Sequence, residues 1–345
     1  MAYGREIARR IRPTEASKKR LLPTGSAVPY PLRMSRPPPQ HRLRSRSVWI
    51  VLALALALHA TAEEDLFVAT PLTQGDFTTG IEGPACDREG NIYCVSYREA
   101  RNIARVSPDG RAELFVALPE LSAGNGIRIG SDGTLFVADY TGHNVLQVDP
   151  GTRQITVFAH NDAMNQPNDL AMAPDGTLYA SDPNWKDGTG QLWRIDRTGG
   201  THREAGDMGT TNGIEVSPDG RSLYVNESVQ RRIWVFNITP GGSLGARRLL
   251  KSFPDHGFDG MRCDVDGNLY ITRHGKGTVV KLSPSGDVLR EINVLGEHPS
   301  NLCFGGPDGR TVYVTEAREK RLVQFRVDRP GLEWQRTSTA GRSRP

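Results

Sequence analysis

A short phrase centred on a turn glycine recurs along this chain of 345 residues, and it constrains the fold more than any other feature. One copy, residues 210–228, reads "TTNGIEVSPDGRSLYVNES". The spacings between successive turn glycines are 43, 43, 44, 47 and 42 residues. The six glycines are Gly90, Gly133, Gly176, Gly220, Gly267 and Gly309. A regular period of this length predicts an array of similar structural units.

Each turn glycine is followed by a β-rich run, such as "TLFVAD", "TLYASD" or "NLYITR", and most repeats then contain two more such runs. Four short strands in a unit of about 40–50 residues, with no amphipathic helical period, are typical of a propeller blade. We therefore predict an all-β, six-bladed β-propeller with four antiparallel strands in each blade.

The sixth repeat lacks a clear fourth strand, because "RLVQFRV" (321–327) is followed by "DRPGLEW" and a polar segment. Near the start of the repeats, "DLFVAT" (65–70) closely matches "ELFVAL" (113–118), the fourth strand of the first blade. We expect this N-terminal strand to close the ring, since an open stack of repeats would leave two unpaired sheet edges. The propeller is thus assigned to residues 63–334 and a polar C-terminal tail to residues 335–345.

The first 62 residues differ in composition from the repeats. They contain 12 of the 43 Lys and Arg residues but 2 of the 39 Asp and Glu residues, which leaves 31 basic and 37 acidic residues in the rest of the chain. The basic excess therefore lies in a Pro- and Arg-rich segment without periodicity, which argues against a nucleic-acid-binding domain. The many charges on the propeller itself favour a monomer.

The end of this leader has the pattern of a signal peptide. A basic stretch ending at Arg46 precedes an apolar run at residues 48–58, and Ala60 and Ala62 form an A-x-A arrangement. We expect cleavage after Ala62 and export to the periplasm or the medium. The alternative is an uncleaved anchor, but the run of 11 residues is short of the ~20 that a spanning helix needs, so no stable membrane association is expected after cleavage. Translation from Met34 would also fit this pattern.

A side-chain oxygen stands eight residues before every turn glycine. The six residues are Glu82, Asn125, Asn168, Asn212, Asp259 and Asn301. In a propeller the innermost strands line the central channel, and equivalent positions lie at the same height. We therefore expect these side chains to form a ring at one mouth of the channel.

Two carboxylates and four carboxamides in such a ring favour one divalent metal ion. Ca²⁺ accepts about six to eight oxygen ligands in loose geometry, and no ring position carries the His or Cys that zinc prefers. We favour Ca²⁺, with Zn²⁺ and Mg²⁺ as alternatives. A purely structural ring is the competing interpretation, since Asn and Asp often bond their own turns; the acidic residues at two positions favour a site.

Several segments together resemble one known family. They read "IEGPACD", "QPNDLAMAPDG", "TTNGIEVSPDGRSLYVNES", "FDGMRCDVDGNLYITR" and "NLCFGGPDGRTVYVTE". Over residues 66–330 the chain resembles the senescence marker protein, gluconolactonase and luciferin-regenerating enzyme family. The resemblance implies a six-bladed propeller with a divalent metal, usually calcium or zinc, in its channel. Many members hydrolyse sugar lactones, and the related diisopropyl fluorophosphatases and paraoxonases hydrolyse organophosphates or other esters.

By motif, the resemblance implies that Glu82, Asn212 and Asp259 are metal ligands and that Asn168 binds metal or substrate. Asn125 completes the ring as a predicted substrate contact. Gln166 stands where sugar-lactone members often carry an Arg that contacts sugar hydroxyls, so the resemblance implies lactonase chemistry without implying gluconolactone itself. We expect Asp259 to act as general base or nucleophile, beside a metal that acts as a Lewis acid, and Glu82 to be a structural ligand.

The second strand of each blade returns to the same mouth, so residues 14 and 15 positions after each ring residue should form its rim. Among them Arg273 and His274 are candidate substrate contacts, with solvated loop residues as the alternative. The loop at residues 182–191 carries Trp185, which could close over a ligand or pack against the neighbouring blade. Besides lactone hydrolysis, two functions stay open: hydrolysis of aryl esters or organophosphates, and non-catalytic ligand binding with a structural calcium.

Overall fold

The computed structural model describes residues 64–340. The expected leader, its cleavage after Ala62 and the alternative start at Met34 lie outside these residues, as does the end of the expected tail. Residues 64–340 contain no helix long and apolar enough to cross a membrane.

The described chain forms six four-stranded antiparallel sheets, which confirms the predicted six-bladed propeller. The first three blades contain β2–β5, β6–β9 and β10–β13. Their strands are β2 (Phe77–Cys86), β3 (Ile92–Tyr97), β4 (Asn102–Val106), β5 (Ala112–Ala117), β6 (Gly124–Ile129), β7 (Leu135–Asp139), β8 (Asn144–Val148), β9 (Ile155–His160), β10 (Leu170–Met172), β11 (Leu178–Asn184), β12 (Thr189–Ile195) and β13 (Thr201–Met208).

The other three blades contain β14–β17, β18–β21 and β22–β24 with β1. Their strands are β14 (Thr211–Val216), β15 (Ser222–Glu227), β16 (Arg232–Ile238), β17 (Leu244–Ser252), β18 (Met261–Cys263), β19 (Leu269–Arg273), β20 (Thr278–Leu282), β21 (Val288–Asn293), β22 (Pro299–Gly305), β23 (Thr311–Glu316), β24 (Arg321–Arg326) and β1 (Thr70–Pro71). In each blade the strand that carries or follows the ring residue is the innermost one.

The turn glycines between the first and second strands adopt backbone conformations that few other residues tolerate. Their φ angles lie between 72° and 93° in all six blades, in the left-handed region where a side chain is strained. The repeated glycine is therefore a requirement of the hairpin that turns each blade away from the channel.

The N-terminal segment closes the ring as expected, but with a shorter strand than "DLFVAT" suggests. β1 pairs antiparallel with β24, with Thr70 opposite Gln324 and Pro71 opposite Val323. Before it, Leu66 makes a single parallel bridge to Arg326, and Phe67 has a φ of 66°. The left-handed residue interrupts the extended chain, so residues 65–69 do not pair as one continuous strand.

The core lies between neighbouring blades, whose facing sheets interdigitate apolar side chains. Ile92 and Cys94 of the first blade pack with Tyr313 and Leu322 of the sixth, so the first and sixth blades are joined by packing as well as by β1. The four cysteines are free, and Cys94, Cys263 and Cys303 are buried.

A helix occupies part of the segment assigned to the polar tail. α1 (Leu332–Ala340) follows the last strand, and its first residue, Leu332, is buried with the apolar side chains of the fifth blade. Gly331 donates its N–H to Gly309 O (2.9 Å), next to the turn of the sixth blade. The helix therefore lies at the turn-glycine end of the channel, opposite the ring residues.

Candidate functional site in the central channel

The innermost strands approach one another closely at the ring positions. Gly126, after Asn125, donates its N–H to Asn168 O (2.8 Å), and Gly213, after Asn212, donates to Asp259 O (3.0 Å). A Cβ atom at Gly83, Gly213 or Gly260 would collide with a ring residue of the next blade. Glycine after the ring residue thus lets adjacent blades join through their backbones, a signal in the "EG", "NG" and "DG" pairs that sequence reasoning did not use.

Four of the ring side chains lie close together. Asn301 lies near enough to the Glu82 carboxyl group to change its pKa, and Glu82 and Asn212 lie near enough to Asp259 to do the same. Asn212 and Asn301 are buried, whereas Glu82 and Asp259 are partly exposed to the channel. The structure therefore brings together two carboxylates from separate blades, each of which stands eight residues before a turn glycine.

The two carboxylates are electrostatically unfavourable as a pair. Enclosure by protein, with the charge of Asp169 adding to it, raises the pKa of Glu82 to about 7. Enclosure and the charge of Glu82 raise the pKa of Asp259 well above its ordinary value. In the absence of a cation, at least one proton is therefore expected on this pair near neutral pH.

The amide oxygens of the ring suit a cation. Asn212 donates its Nδ2 to Ser228 Oγ (3.0 Å), while its Oδ1 is buried and accepts no hydrogen bond from the described residues. A buried carbonyl oxygen without a donor is unfavourable unless something positive faces it. Asn168 lies in the same ring, buried, with its N–H bonded to Ser181 O (2.8 Å).

Within residues 64–340, no three His, Cys, Asp or Glu side chains form a group that could hold a metal. A metal in this ring would therefore depend on amide oxygens in addition to the two carboxylates. An all-oxygen donor set suits Ca²⁺ or Mg²⁺ better than zinc.

Two further residues at the mouth were not singled out from the sequence. Asn226, at the end of β15, donates its Nδ2 to the main-chain oxygen of Asp259 (2.7 Å) and so holds that residue in place. Burial and the nearby charge of Asp259 raise the pKa of Tyr140 to about 12, so its phenol keeps its proton. Both belong to the rim positions of the sequence analysis, but nothing in the repeat pattern distinguished them from their equivalents.

Gln166 lies in a loop that the rim residue Asp182 holds in place. Asp182 Oδ1 accepts hydrogen bonds from the N–H groups of Gln166 (2.5 Å) and Asn165 (2.9 Å), and its Oδ2 accepts one from Trp193 Nε1 (2.9 Å). The side chains of Gln166 and Asn125 are half-buried. Both stay available as predicted substrate contacts.

Arg273 does not lie on an open rim. Its side chain is fully buried, donates to the main chain and carboxylate of Asp255 (2.6 and 2.9 Å), and stacks over the rings of Phe253 (4.2 Å) and Phe258 (5.3 Å). Because its charge is used within the protein, Arg273 anchors the loop that leads to Asp259 instead of being free for substrate.

His274, next in sequence, is half-buried and stacks on His298 of the sixth blade, with ring centroids 4.6 Å apart. Burial and the neighbouring His298 lower the pKa of His274 to about 4. His274 is therefore neutral at pH 7, and its predicted role in substrate binding is that of a neutral polar ring.

Trp185 lies in a tighter segment than a mobile loop. β11 extends to Asn184 and β12 begins at Thr189, so most of residues 182–191 forms a hairpin, closed by a hydrogen bond from Gly188 N to Asn184 O (2.9 Å). Trp185 is 39% exposed. This short paired turn offers little freedom for closure over a ligand.

Fold and ring together define a class of protein: a six-bladed propeller whose channel mouth gathers two carboxylates and several amides. A family model described as the SMP-30/Gluconolactonase/LRE-like region matches residues 81–318 of the chain. The chain belongs to this family.

Individual relatives agree with that assignment. A gluconolactonase from Zymomonas mobilis subsp. mobilis is 28% identical over 282 residues, which cover 71% of this chain and 78% of that protein. Diisopropyl-fluorophosphatase from Loligo vulgaris is 27% identical over 294 residues, 74% of this chain and 90% of that protein. The structure of regucalcin, a calcium-binding protein from Agrobacterium tumefaciens, is similar in fold, with a TM-score of 0.66 at 23% identity over 74% of this chain and 92% of that one.

Proposed function

We propose that this propeller hydrolyses a lactone or related cyclic ester at the mouth of its channel, with one divalent metal ion, preferably Ca²⁺, held by Glu82, Asn168, Asn212 and Asp259. One observation carries the proposal: the Glu82 and Asp259 carboxyl groups lie close together beside Asn212, whose buried Oδ1 has no hydrogen-bond donor among the described residues. The sequence similarity to a gluconolactonase over 71% of the chain supports the lactone as substrate class.

A bound divalent ion would polarise the ester carbonyl and favour the negative charge that develops on its oxygen. Such an ion would also favour the charged forms of Glu82 and Asp259 and so lower pKa values that enclosure has raised. Asp259 then serves as the base that takes a proton from the attacking water. The hydrogen bond from Asn226 Nδ2 to its main-chain oxygen holds Asp259 in place, close to Asn212.

The protonated Tyr140 phenol, close enough to Asp259 to respond to its charge, is a donor available to a substrate oxygen. Asn125, Gln166 and His274 are proposed as polar contacts that orient the ring of the substrate. These neutral groups suit an uncharged substrate, since none carries a charge at pH 7 that would have to be neutralised by the ligand.

The test combines metal content with turnover in one preparation of the full-length protein. Elemental analysis is followed by a pH-drop assay over a panel of lactones, before chelation, after chelation and after return of Ca²⁺. One equivalent of metal with turnover that chelation abolishes and Ca²⁺ restores is the expected result. Turnover that survives complete removal of metal would contradict the proposed role of the ion.

A second candidate is hydrolysis of organophosphates or aryl esters, favoured by the 27% identity to a diisopropyl-fluorophosphatase over 90% of that protein's length. The same preparation is therefore assayed with a fluorophosphate and an aryl acetate. A kcat/KM higher on either than on every lactone would transfer the proposal to that substrate class. Bound metal with no turnover on any of the three classes would favour a binding propeller with a structural ion.

A further inference from the structure

A second cluster of charged side chains lies in the channel, on the α1 side of the ring. Its members are Arg128, Asp169, Glu215, Arg262 and Glu333. The first four are 0–2% exposed, and Glu333 is 25% exposed. We call these five residues the channel floor.

The floor is held together by ion pairs between residues of different blades. Asp169 lies between the two arginines, with Oδ1 at 3.4 Å from Arg128 NH1 and Oδ2 at 3.0 Å from Arg262 NH1. Glu333 also bridges them, with Oε1 at 2.9 Å from Arg128 Nε and Oε2 at 3.5 Å from Arg262 Nε. Two carboxylates thus clamp the same pair of guanidinium groups.

Asp169 connects the floor to the ring. In four blades the residue after the ring position is glycine, whereas the third blade has Asp169 after Asn168. The place of a Cβ atom at Gly126, in the neighbouring blade, is 2.5 Å from Asp169 Oδ1. Because Asp169 follows ring residue Asn168 and lies against Gly126, which follows ring residue Asn125, its carboxylate lies next to the ring.

The two arginines also receive a carboxylate from outside the blades. Glu215, within the blades, is 3.8 Å from Arg128 NH2, whereas Glu333 is 2.9 Å from Arg128 Nε. Buried guanidinium groups are strongly unfavourable unless carboxylates pair with them. Glu333, which helix α1 contributes, therefore pairs with both arginines and makes the shorter contact with Arg128.

Helix α1 is seated so that Glu333 can reach the floor. Arg336 donates to Met172 O in the third blade (2.7 Å) and to Ser217 O in the first turn of the fourth (3.4 Å). Leu332 is buried against the fifth blade, and the Trp334 ring lies over Gly309 of the sixth. Contacts with four blades therefore fix the helix across the end of the channel.

We propose that Glu333 is a positioning residue for the metal site: by clamping Arg128 and Arg262 it holds Asp169 beneath the ring, and α1 closes the channel at that end. The inference rests on the proposed function, because it requires that the ring bind a divalent cation. Without the Glu333 charge, the electrostatic potential beneath the ring becomes more positive. The two arginines would also draw the Asp169 carboxylate away from its position beneath the ring. Both effects weaken cation binding.

The test measures binding of Ca²⁺ alone by calorimetry in full-length wild type, Glu333→Gln and Glu89→Gln. Glu89 is the matched control, because it is exposed near the same end of the blades and forms no ion pair within residues 64–340. We expect about tenfold weaker Ca²⁺ binding in Glu333→Gln and an unchanged affinity in Glu89→Gln. Wild-type affinity in a folded Glu333→Gln protein would overturn the proposal.

A compensating variant separates electrostatic positioning from a merely structural role. Arg128→Met combined with Glu333→Gln removes one charge of each sign, so Ca²⁺ affinity should return to within about threefold of wild type. An affinity as weak as that of Glu333→Gln would show that the helix contact, and not the charge balance, matters. If Glu333→Gln does not fold, Glu333→Asp replaces it, and undiminished affinity in that variant contradicts the proposal. Absence of Ca²⁺ binding in wild type would instead refute the proposed function.

Discussion

The ring and the channel floor contain similar numbers of charged or strongly polar side chains, but they differ in how their carboxylates are paired. At the ring, Glu82 and Asp259 lie close together among amides, and within residues 64–340 neither forms an ion pair with Lys or Arg. At the floor, Asp169, Glu215 and Glu333 each form an ion pair with Arg128, and two of the three also pair with Arg262. Since buried charges are unfavourable without partners of opposite sign, this difference supports the proposed cation site at the ring.

The largest expected effect is on turnover, from Asp259→Asn. Removing the proposed base without changing its shape should lower kcat on the best lactone about 10³-fold, while the fold is retained. Steady-state kinetics with saturating Ca²⁺ measure this, and circular dichroism controls for folding. Asp266→Asn, in an exposed residue of the same blade paired with Arg329, should leave kcat unchanged. Full activity of Asp259→Asn would show that the base lies elsewhere.

Arg262→Met should have the largest effect on stability. The substitution leaves Asp169 and Glu333 without one of their two partners in a buried place, so the free energy of unfolding should fall by about 3 kcal/mol. Urea unfolding of the chelated protein measures the change. A fall below about 0.5 kcal/mol, typical of a surface pair, would mean that the floor does not depend on this arginine.

Glu82→Gln should weaken metal binding at the ring without the loss of stability expected from a substitution in the floor. Loss of one of two carboxylate ligands should weaken Ca²⁺ binding about 30- to 100-fold, yet the metal-free protein should be no less stable, because an unfavourable charge has been removed. Calorimetry gives the affinity, and thermal unfolding after chelation gives the stability. A metal-free Glu82→Gln protein that melts well below wild type would indicate a structural ring.

The pH dependence of stability should distinguish the two clusters. The folded-state pKa values of Glu82 and Glu215 are both raised to about 7, so the folded protein binds more protons than the unfolded chain between the ordinary Glu value and pH 7. Stability should therefore fall as pH rises through this window. Ca²⁺ should abolish the pH dependence of stability that Glu82 contributes and leave the pH dependence that Glu215 contributes.

Thermal unfolding from pH 4.5 to 8, with and without Ca²⁺, checks this expectation. Glu215→Gln should flatten the residual slope that persists in Ca²⁺, and Glu82→Gln should flatten the slope that Ca²⁺ suppresses. Equal slopes with and without Ca²⁺ in wild type would mean that the ring carboxylates do not meet the ion.

Much of the ring could be predicted because its information is local and repeated. The turn glycines require a left-handed backbone, and the residue eight positions earlier follows from the length of one strand and its turn. Arg273 shows the limit of this reasoning, since we expected it on the open rim but its buried side chain pairs with Asp255 and two Phe rings. Position along a strand specifies which end of the blade a residue occupies, but not which neighbour takes up its charge.

The sequence alone determined the number of blades, the closure by an N-terminal segment and the six oxygen-bearing positions, because each depends on a period that repeats along the chain. Only the tertiary structure showed that Asp169 joins the ring to the floor and that a segment read as a polar tail forms α1 and carries Glu333 to Arg128 and Arg262. These contacts occur once and join residues far apart in the chain. Their energy depends on burial and on the distance between charges, and neither quantity exists until the chain has folded.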